Sequence, residues 1–252
     1  MTAGSRTPSP GRILPAPLRL VSLRSKSNSA VNRSSICVNL LLVALLASRS
    51  GAQTAADVHS VAHAVDEHYN QLRTLEAEFS EIYRGAGMDR SESGTLWLKK
   101  PGKMRWEYRS PKDKLFLSDG RDAWFYLPGD KQARRTPMRK LEDLRSPLGF
   151  LLGKTRLEKE LQSLGFAPDV APLGPGDVVL RGVPKAMADR VSEVLIEITP
   201  SRQINRIQIE EVDGSTTEYR FSKQRENVRI GDEPFQFTPP PGVETIDGEA
   251  GQ

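Results

Sequence analysis

The sequence predicts a mainly β, α+β fold: an antiparallel sheet curled toward a barrel, with short helices closing its open side. Three observations carry this expectation. Apolar and polar residues alternate in segment after segment, turn residues punctuate those segments at short intervals, and no crossover helices of the kind a doubly wound sheet needs lie between them.

Between residues 57 and 72, Val58, Val61, Ala62, Val65, Tyr69 and Leu72 recur at helical spacing. That spacing predicts one amphipathic helix whose stripe lies on the body of the protein. The period then changes to two, with Leu75, Ala77, Phe79 and Tyr83 alternating with Glu76, Glu78 and Ser80, as in a strand with one wet face. Leu96 and Leu98, then Met104, Trp106 and Tyr108, flank Pro101-Gly102-Lys103 and read as a hairpin that sends Arg105, Glu107 and Arg109 to the opposite face. Asp119-Gly120 and Pro128-Gly129-Asp130 bracket an aromatic strand at 123–127 that is apolar on both faces. Residues 138–153 break this rhythm. Leu148, Phe150, Leu151 and Leu152 follow Pro147 and predict a short, very apolar helix over 147–152. Val194/Ile196/Ile198, Ile207/Ile209 and Thr217/Tyr219/Phe221 give three further strands, with turns near Pro200-Ser201 and Asp213-Gly214. Residues 165–190 are rich in Pro and Gly and carry no clear period.

The basic composition is misleading until it is partitioned. Residues 1–52 hold seven basic residues and no acidic one, so the 36 basic and 32 acidic residues of the chain leave 29 against 32, or −3, over the remainder. A weakly acidic body without a dense basic run argues against a nucleic-acid partner. Within 1–52, a basic region ends at Arg33, an apolar run extends over 36–47, and Ser50-Gly51-Ala52 follows. This is the order of a secretory signal peptide, and the run falls short of the roughly 20 residues a spanning helix needs. The expected organisation is a leader at 1–52 and a single domain at 53–252. The one cysteine, Cys37, lies in the leader, so the exported domain has neither disulfide nor thiol.

Little in the sequence points to chemistry. His59, His63 and His68 sit on the first helix, but a zinc site needs further ligands and a second shell, and no metal or other cofactor is expected. Asp66-Glu67 and Glu210-Glu211 are sequence neighbours whose side chains diverge, so neither reads as a catalytic dyad. No nucleophile elbow or phosphate-binding glycine loop occurs, and the protein is not expected to be an enzyme. One charge is out of pattern. Lys100 shares the strand parity of Leu96 and Leu98, so its side chain starts toward the apolar interior. It either meets free carbonyls at the end of a covering helix, latching lid to sheet, or extends to water at the strand end.

Gly94-Thr95-Leu96-Trp97-Leu98-Lys99-Lys100-Pro101, Arg105-Trp106-Glu107-Tyr108, Ser118-Asp119-Gly120, Trp124-Phe125-Tyr126 and Phe237-Thr238-Pro239-Pro240 together resemble the periplasmic outer-membrane lipoprotein carrier family, LolA. The resemblance runs from the first helix to about Val243. It implies an incomplete antiparallel barrel with short helices forming a lid over an apolar cavity, and a periplasmic carrier needing no cofactor. The implied cargo is the acyl chains of lipoproteins, received from an inner-membrane lipoprotein-releasing ABC transporter and delivered to an outer-membrane receptor. Strand parity and position in the resemblance together nominate Leu96, Leu98, Met104, Trp106, Phe116, Trp124, Phe150, Leu151, Ile207 and Phe221 as lining of a lipid-binding cavity, and Lys100 as the lid latch. The family usually has arginine at the latch position; lysine keeps the charge but lacks the planar fork, so a less specific hold is expected. A monomer is expected. The competing readings are an outer-membrane receptor of the same fold, a general lipid carrier, and a sensor domain for a lipid or protein signal.

Overall fold

The computed structural model describes residues 57–138 and 156–248. Helix α1 (Val58–Gln71) is followed by six strands: β1 (Thr74–Gly85), β2 (Met88–Lys99), β3 (Lys103–Ser110), β4 (Lys114–Asp119), β5 (Asp122–Tyr126) and β6 (Gln132–Pro137). The one-turn helix α2 (Leu157–Glu160) leads into β7 (Leu161–Phe166), β8 (Val178–Pro184), β9 (Val191–Ile198), β10 (Ile204–Glu211), β11 (Thr216–Glu226) and β12 (Glu244–Asp247). All twelve strands form one sheet in the order β12-β6-β5-β4-β3-β2-β1-β11-β10-β9-β8-β7. The pairings are antiparallel except β12 with β6, which is parallel and lies at the edge. The strands that the alternation predicts are present. The Pro/Gly-rich stretch that carries no period holds β8, flanked by the end of β7 and a 3-10 turn at Lys185–Met187. The helix expected over 147–152 lies outside the described residues.

The sheet is strongly curled. One apolar cluster unites Leu96 of β2 and Trp106 of β3 with Leu180 of β8 and Val194 of β9. β3 and β8 stand six places apart in the sheet order, about 29 Å if the sheet were flat. α1 bridges a similar gap: its Tyr69 carbonyl meets Lys100 just after β2 and, one turn earlier, its Asp66 meets the Leu157 amide just before β7, so the sheet bends back on itself. Within the described residues β7 and β12 remain edges, so the barrel is open.

Register assigns each side chain to a face. Leu96 faces Ala77 on one side and Trp106 on the other; Trp106 faces Phe116; Phe79 faces Phe221. These residues line the concave face. Trp97, Arg105, Leu117 and Trp124 are cross-strand neighbours on the convex face, and there the C-terminal segment covers them. Arg105 donates to the Pro234 carbonyl at 3.1 Å, Phe235 is buried, and the Phe237 ring lies 5.1 Å from Trp124. Lys99 and Lys103 both pair with Asp232, which holds its carboxyl down at about 2. Farther along the convex face, Arg206 pairs with buried Glu197, whose other ties run to the Leu173 amide; this fastens the connection between β7 and β8 over the sheet.

Gly94 is where the chain approaches itself most closely. It sits at an irregularity in the β2–β3 pairing, and a Cβ there would lie 1.9 Å from the Glu107 carbonyl oxygen. The missing side chain also leaves room for Phe79 and Tyr108, its cross-strand neighbours, whose rings meet edge-on at 4.8 Å. Gly94→Ala is therefore expected to destabilise by roughly 1–3 kcal/mol through overpacking. Urea unfolding reads this as a lower midpoint at unchanged slope, and an unchanged midpoint contradicts the assignment.

Candidate lipid-binding face

α1 lies on the concave face of the sheet. Ala62, Val65, Tyr69 and Leu72 are buried in the same cluster as Leu75, Phe79, Leu96, Leu98, Trp106, Ile207 and Phe221, with Val58 and Val61 packed against it. A 14-residue helix is marginal in water by itself, so this packing is what keeps it helical. Beneath the helix the aromatic residues form a bed: Phe79 and Trp106 meet edge-on at 4.6 Å, and Trp106 faces Phe221 at 6.2 Å. The crevice beside Lys100, lined by Leu72, Leu75 and Leu98, measures about 10 Å³, space for about one water. A wider groove of about 260 Å³ runs along the other flank of the helix, between Ser60, Val61 and Ala64 and the strand-end residues Val178, Ile198 and Pro200.

Polar contacts tether α1 at a few points. The Lys100 ammonium donates to the Tyr69 carbonyl in the last turn of the helix, while the Lys100 amide donates to the Arg73 carbonyl at 2.9 Å. Burial lowers the Lys100 pKa. The Tyr69 hydroxyl accepts the Ile204 amide at 2.9 Å, and burial raises its own pKa. The three histidines each face a glutamate: His59 with Glu158 at 2.7 Å, His63 with Glu67 at 3.6 Å and His68 with Glu226 at 2.9 Å. Among the described residues no cluster of His, Cys, Asp and Glu is placed to hold a metal. Asp66 is not the solvated residue its sequence context suggests. Its carboxylate accepts the Leu157 amide at 3.0 Å, tying α1 to α2.

Of the residues nominated for the cavity, Leu96, Leu98, Trp106, Ile207 and Phe221 are buried on the concave face, and Met104 and Phe116 are half-buried against the same cluster. Trp124 is a correction. It pairs with Leu117 on the convex face and packs against Phe237, so it does not line the concave side. β5 is apolar on both faces, which leaves parity without a preferred direction there, and its concave-face aromatic is Phe125, 41% exposed. Phe150 and Leu151 lie outside the described residues.

The curled, open sheet holds an amphipathic helix on its apolar concave face. The comparisons with known proteins place it further: residues 70–238 match the family model described as outer membrane lipoprotein carrier protein LolA, and the chain belongs to that family. It is 31% identical over 192 residues to an outer-membrane lipoprotein carrier protein of Dechloromonas aromatica, covering 73% of this chain and 88% of the relative. It is 28% identical over 211 residues to one of Cronobacter sakazakii, covering 83% and 94%. Among solved structures, it is similar to a LolA superfamily protein of Nitrosomonas europaea (12% identity, 73% and 99% covered, TM-score 0.40). It is also similar to the Mycobacterium tuberculosis lipoprotein LppX (13% identity, 69% and 98% covered, TM-score 0.46).

Asp66 supplies a pH test of the tether. Burial raises its pKa from 3.8 to about 6, against the opposing pull of the Leu157 amide, with Glu158 raising and His63 and Arg156 lowering it. A carboxyl whose folded pKa exceeds its unfolded one binds protons more readily when folded. Its contribution to stability is complete below about pH 3.8 and is lost as pH rises through about 6. Asp66→Asn, which keeps the acceptor, should remove that slope. Thermal melts from pH 4 to 7 should therefore show the variant gaining on the native protein as pH rises, and parallel curves contradict this.

Proposed function

We propose that the protein is a periplasmic chaperone that takes the acyl chains of lipoproteins against its concave face. It carries them from an inner-membrane lipoprotein-releasing ABC transporter to an outer-membrane receptor. Residues 1–52 act as the export signal and 53–252 as the carrier domain, without catalysis or cofactor. The observation that carries this reading is the seating of α1: an apolar stripe on an apolar sheet. Membership of a family of lipoprotein carriers supports it.

The energies of cover and cargo are of similar size. A long acyl chain of roughly a dozen buried methylenes gains on the order of 10 kcal/mol. Uncovering the bed exposes Val65, Tyr69 and Leu72 fully and Val58 and Val61 in part, a loss on the order of 6–10 kcal/mol. Near balance is what a carrier requires, since cargo must leave as readily as it enters. In this scheme Leu96, Leu98, Met104, Trp106, Phe116, Ile207 and Phe221 form the bed, Phe150 and Leu151 add to it from the following segment, and Lys100 latches the closed form through the Tyr69 carbonyl.

Native mass spectrometry of the purified protein, incubated with diacyl or triacyl lipoproteins and separately with phospholipids, tests the reading. A stoichiometric soluble complex with lipoprotein is expected. Phospholipid binding alone would make the protein a general lipid carrier, and the absence of any acylated ligand would overturn the proposal. Lys100→Arg, which replaces the rotatable ammonium with a planar guanidinium fork, should change the rate at which bound lipoprotein passes to acceptor vesicles. Identical rates would remove Lys100 from the mechanism.

A further inference from the structure

The concave face does not stay apolar along its length. Down β2 its inward positions run Leu98, Leu96, Gly94, Glu92 and Arg90; down β1 they run Leu75, Ala77, Phe79, Glu81 and Tyr83. Glu81 and Glu92 are direct cross-strand partners, 7% and 8% exposed. Two carboxylates in that relation repel unless they are compensated. Compensation comes from three neighbours. Tyr108 donates to Glu81 at 2.7 Å and Lys114 to Glu92 at 2.6 Å, while Arg90 stands between them, 3.8 Å from Glu81 and 3.4 Å from Glu92. The Lys114 ammonium also lies 3.9 Å from the centre of the Tyr108 ring, and the Arg90 guanidinium is stacked over Tyr83. Burial and the adjacent carboxylates raise the Tyr108 and Tyr219 pKa values, so both phenols stay neutral.

The set holds two acids and two bases, so it carries no net charge. It is not explained by stability, because apolar residues of similar volume generally serve a buried site as well or better. Its position suggests a different role. From Leu98 to Glu92 the strand advances six residues, roughly 20 Å. One leaflet of a bilayer holds its tails in roughly 15 Å. The apolar bed therefore starts beside Lys100, runs for about the length of a membrane-lipid tail, and ends in charge.

We propose that Glu81, Arg90, Glu92 and Lys114 form a depth stop that sets the longest acyl chain the concave face accepts. This rests on the carrier reading and adds a specificity determinant to it. A chain end driven into the network would separate charge-assisted hydrogen bonds and offer nothing in their place. Methylenes beyond the stop remain outside the bed and add no affinity.

The test measures affinity of the full-length protein for peptides N-acylated with chains of about 12 to 20 carbons, a range in which each buried methylene is worth about fourfold. For the native protein affinity should climb and then level off before the longest chain. Glu92→Leu with Lys114→Leu removes one acid and one base together and should extend the climb, gaining about fourfold for each further methylene admitted. Glu92→Gln with Lys114→Gln keeps the wall polar and should leave the break where it was. A native profile that climbs through the longest chain overturns the stop whether or not the variants fold. So does a break that the leucine pair leaves in place, or that the glutamine pair moves as far. If none of the proteins binds any acylated peptide, the carrier reading itself fails and the stop falls with it; binding with an unchanged length profile removes the stop alone.

Discussion

Everything in this structure depends on the contact between the apolar stripe of α1 and the concave face of the sheet. The helix is too short to persist alone, and its buried stripe shares one apolar cluster with Leu96, Leu98, Trp106 and Phe221 of the sheet. Each element satisfies the other's apolar surface. Because the attraction is non-directional and proportional to area, another apolar surface of similar extent serves the sheet equally well. An acyl chain is such a surface. In the proposed carrier, the contact that completes the fold is the one that cargo replaces.

Polar groups determine how that replacement is bounded. Lys100 and Tyr69 tie the C-terminal end of the helix to the turn after β2 and the start of β10, and Asp66 ties its middle to α2. These contacts are directional, so they fix where the helix rests. The flank facing Val178, Ile198 and Pro200 is an apolar groove. The convex face is treated differently. Phe235 and Phe237 of the C-terminal segment are packed on it, held by Lys99, Lys103 and Arg105, and Arg206 is buried there with its glutamates. One side of the sheet is covered by the C-terminal segment and the other carries α1, and in the proposed carrier only the second cover lifts.

Much of this was legible in the residues. The helical stripe named the side of α1 that is buried, and the alternation in β1, β2, β3, β10 and β11 named the concave face, because each of these strands has one polar side. Where that contrast fails, parity fails with it. β5 is apolar on both sides, and only the register with Leu117 shows that Trp124 faces outward. Asp66 lies beside the buried stripe, and its partner is an amide 91 residues away that no local pattern reveals. Glu81 carries a cue of the kind that singles out Lys100, a charge at an inward position, since it falls at the parity of Phe79 and Tyr83; Glu76 and Glu78, at the outward parity just before it, mask that cue. β8, by contrast, lies in a Pro/Gly-rich stretch whose apolar run has no alternation, since Val179 and Leu180 are both buried on opposite faces.

Hydrogen exchange of α1 during loading tests the central claim most directly. If cargo replaces the helix on the concave face, the amides of residues 58–71 should lose protection when the protein is saturated with an acylated peptide, while the amides of β1, β2 and β11 keep theirs. If α1 stays as protected at saturation as in the empty protein, the acyl chain is accommodated without displacing the helix, and α1 is not the reversible cover of the concave face.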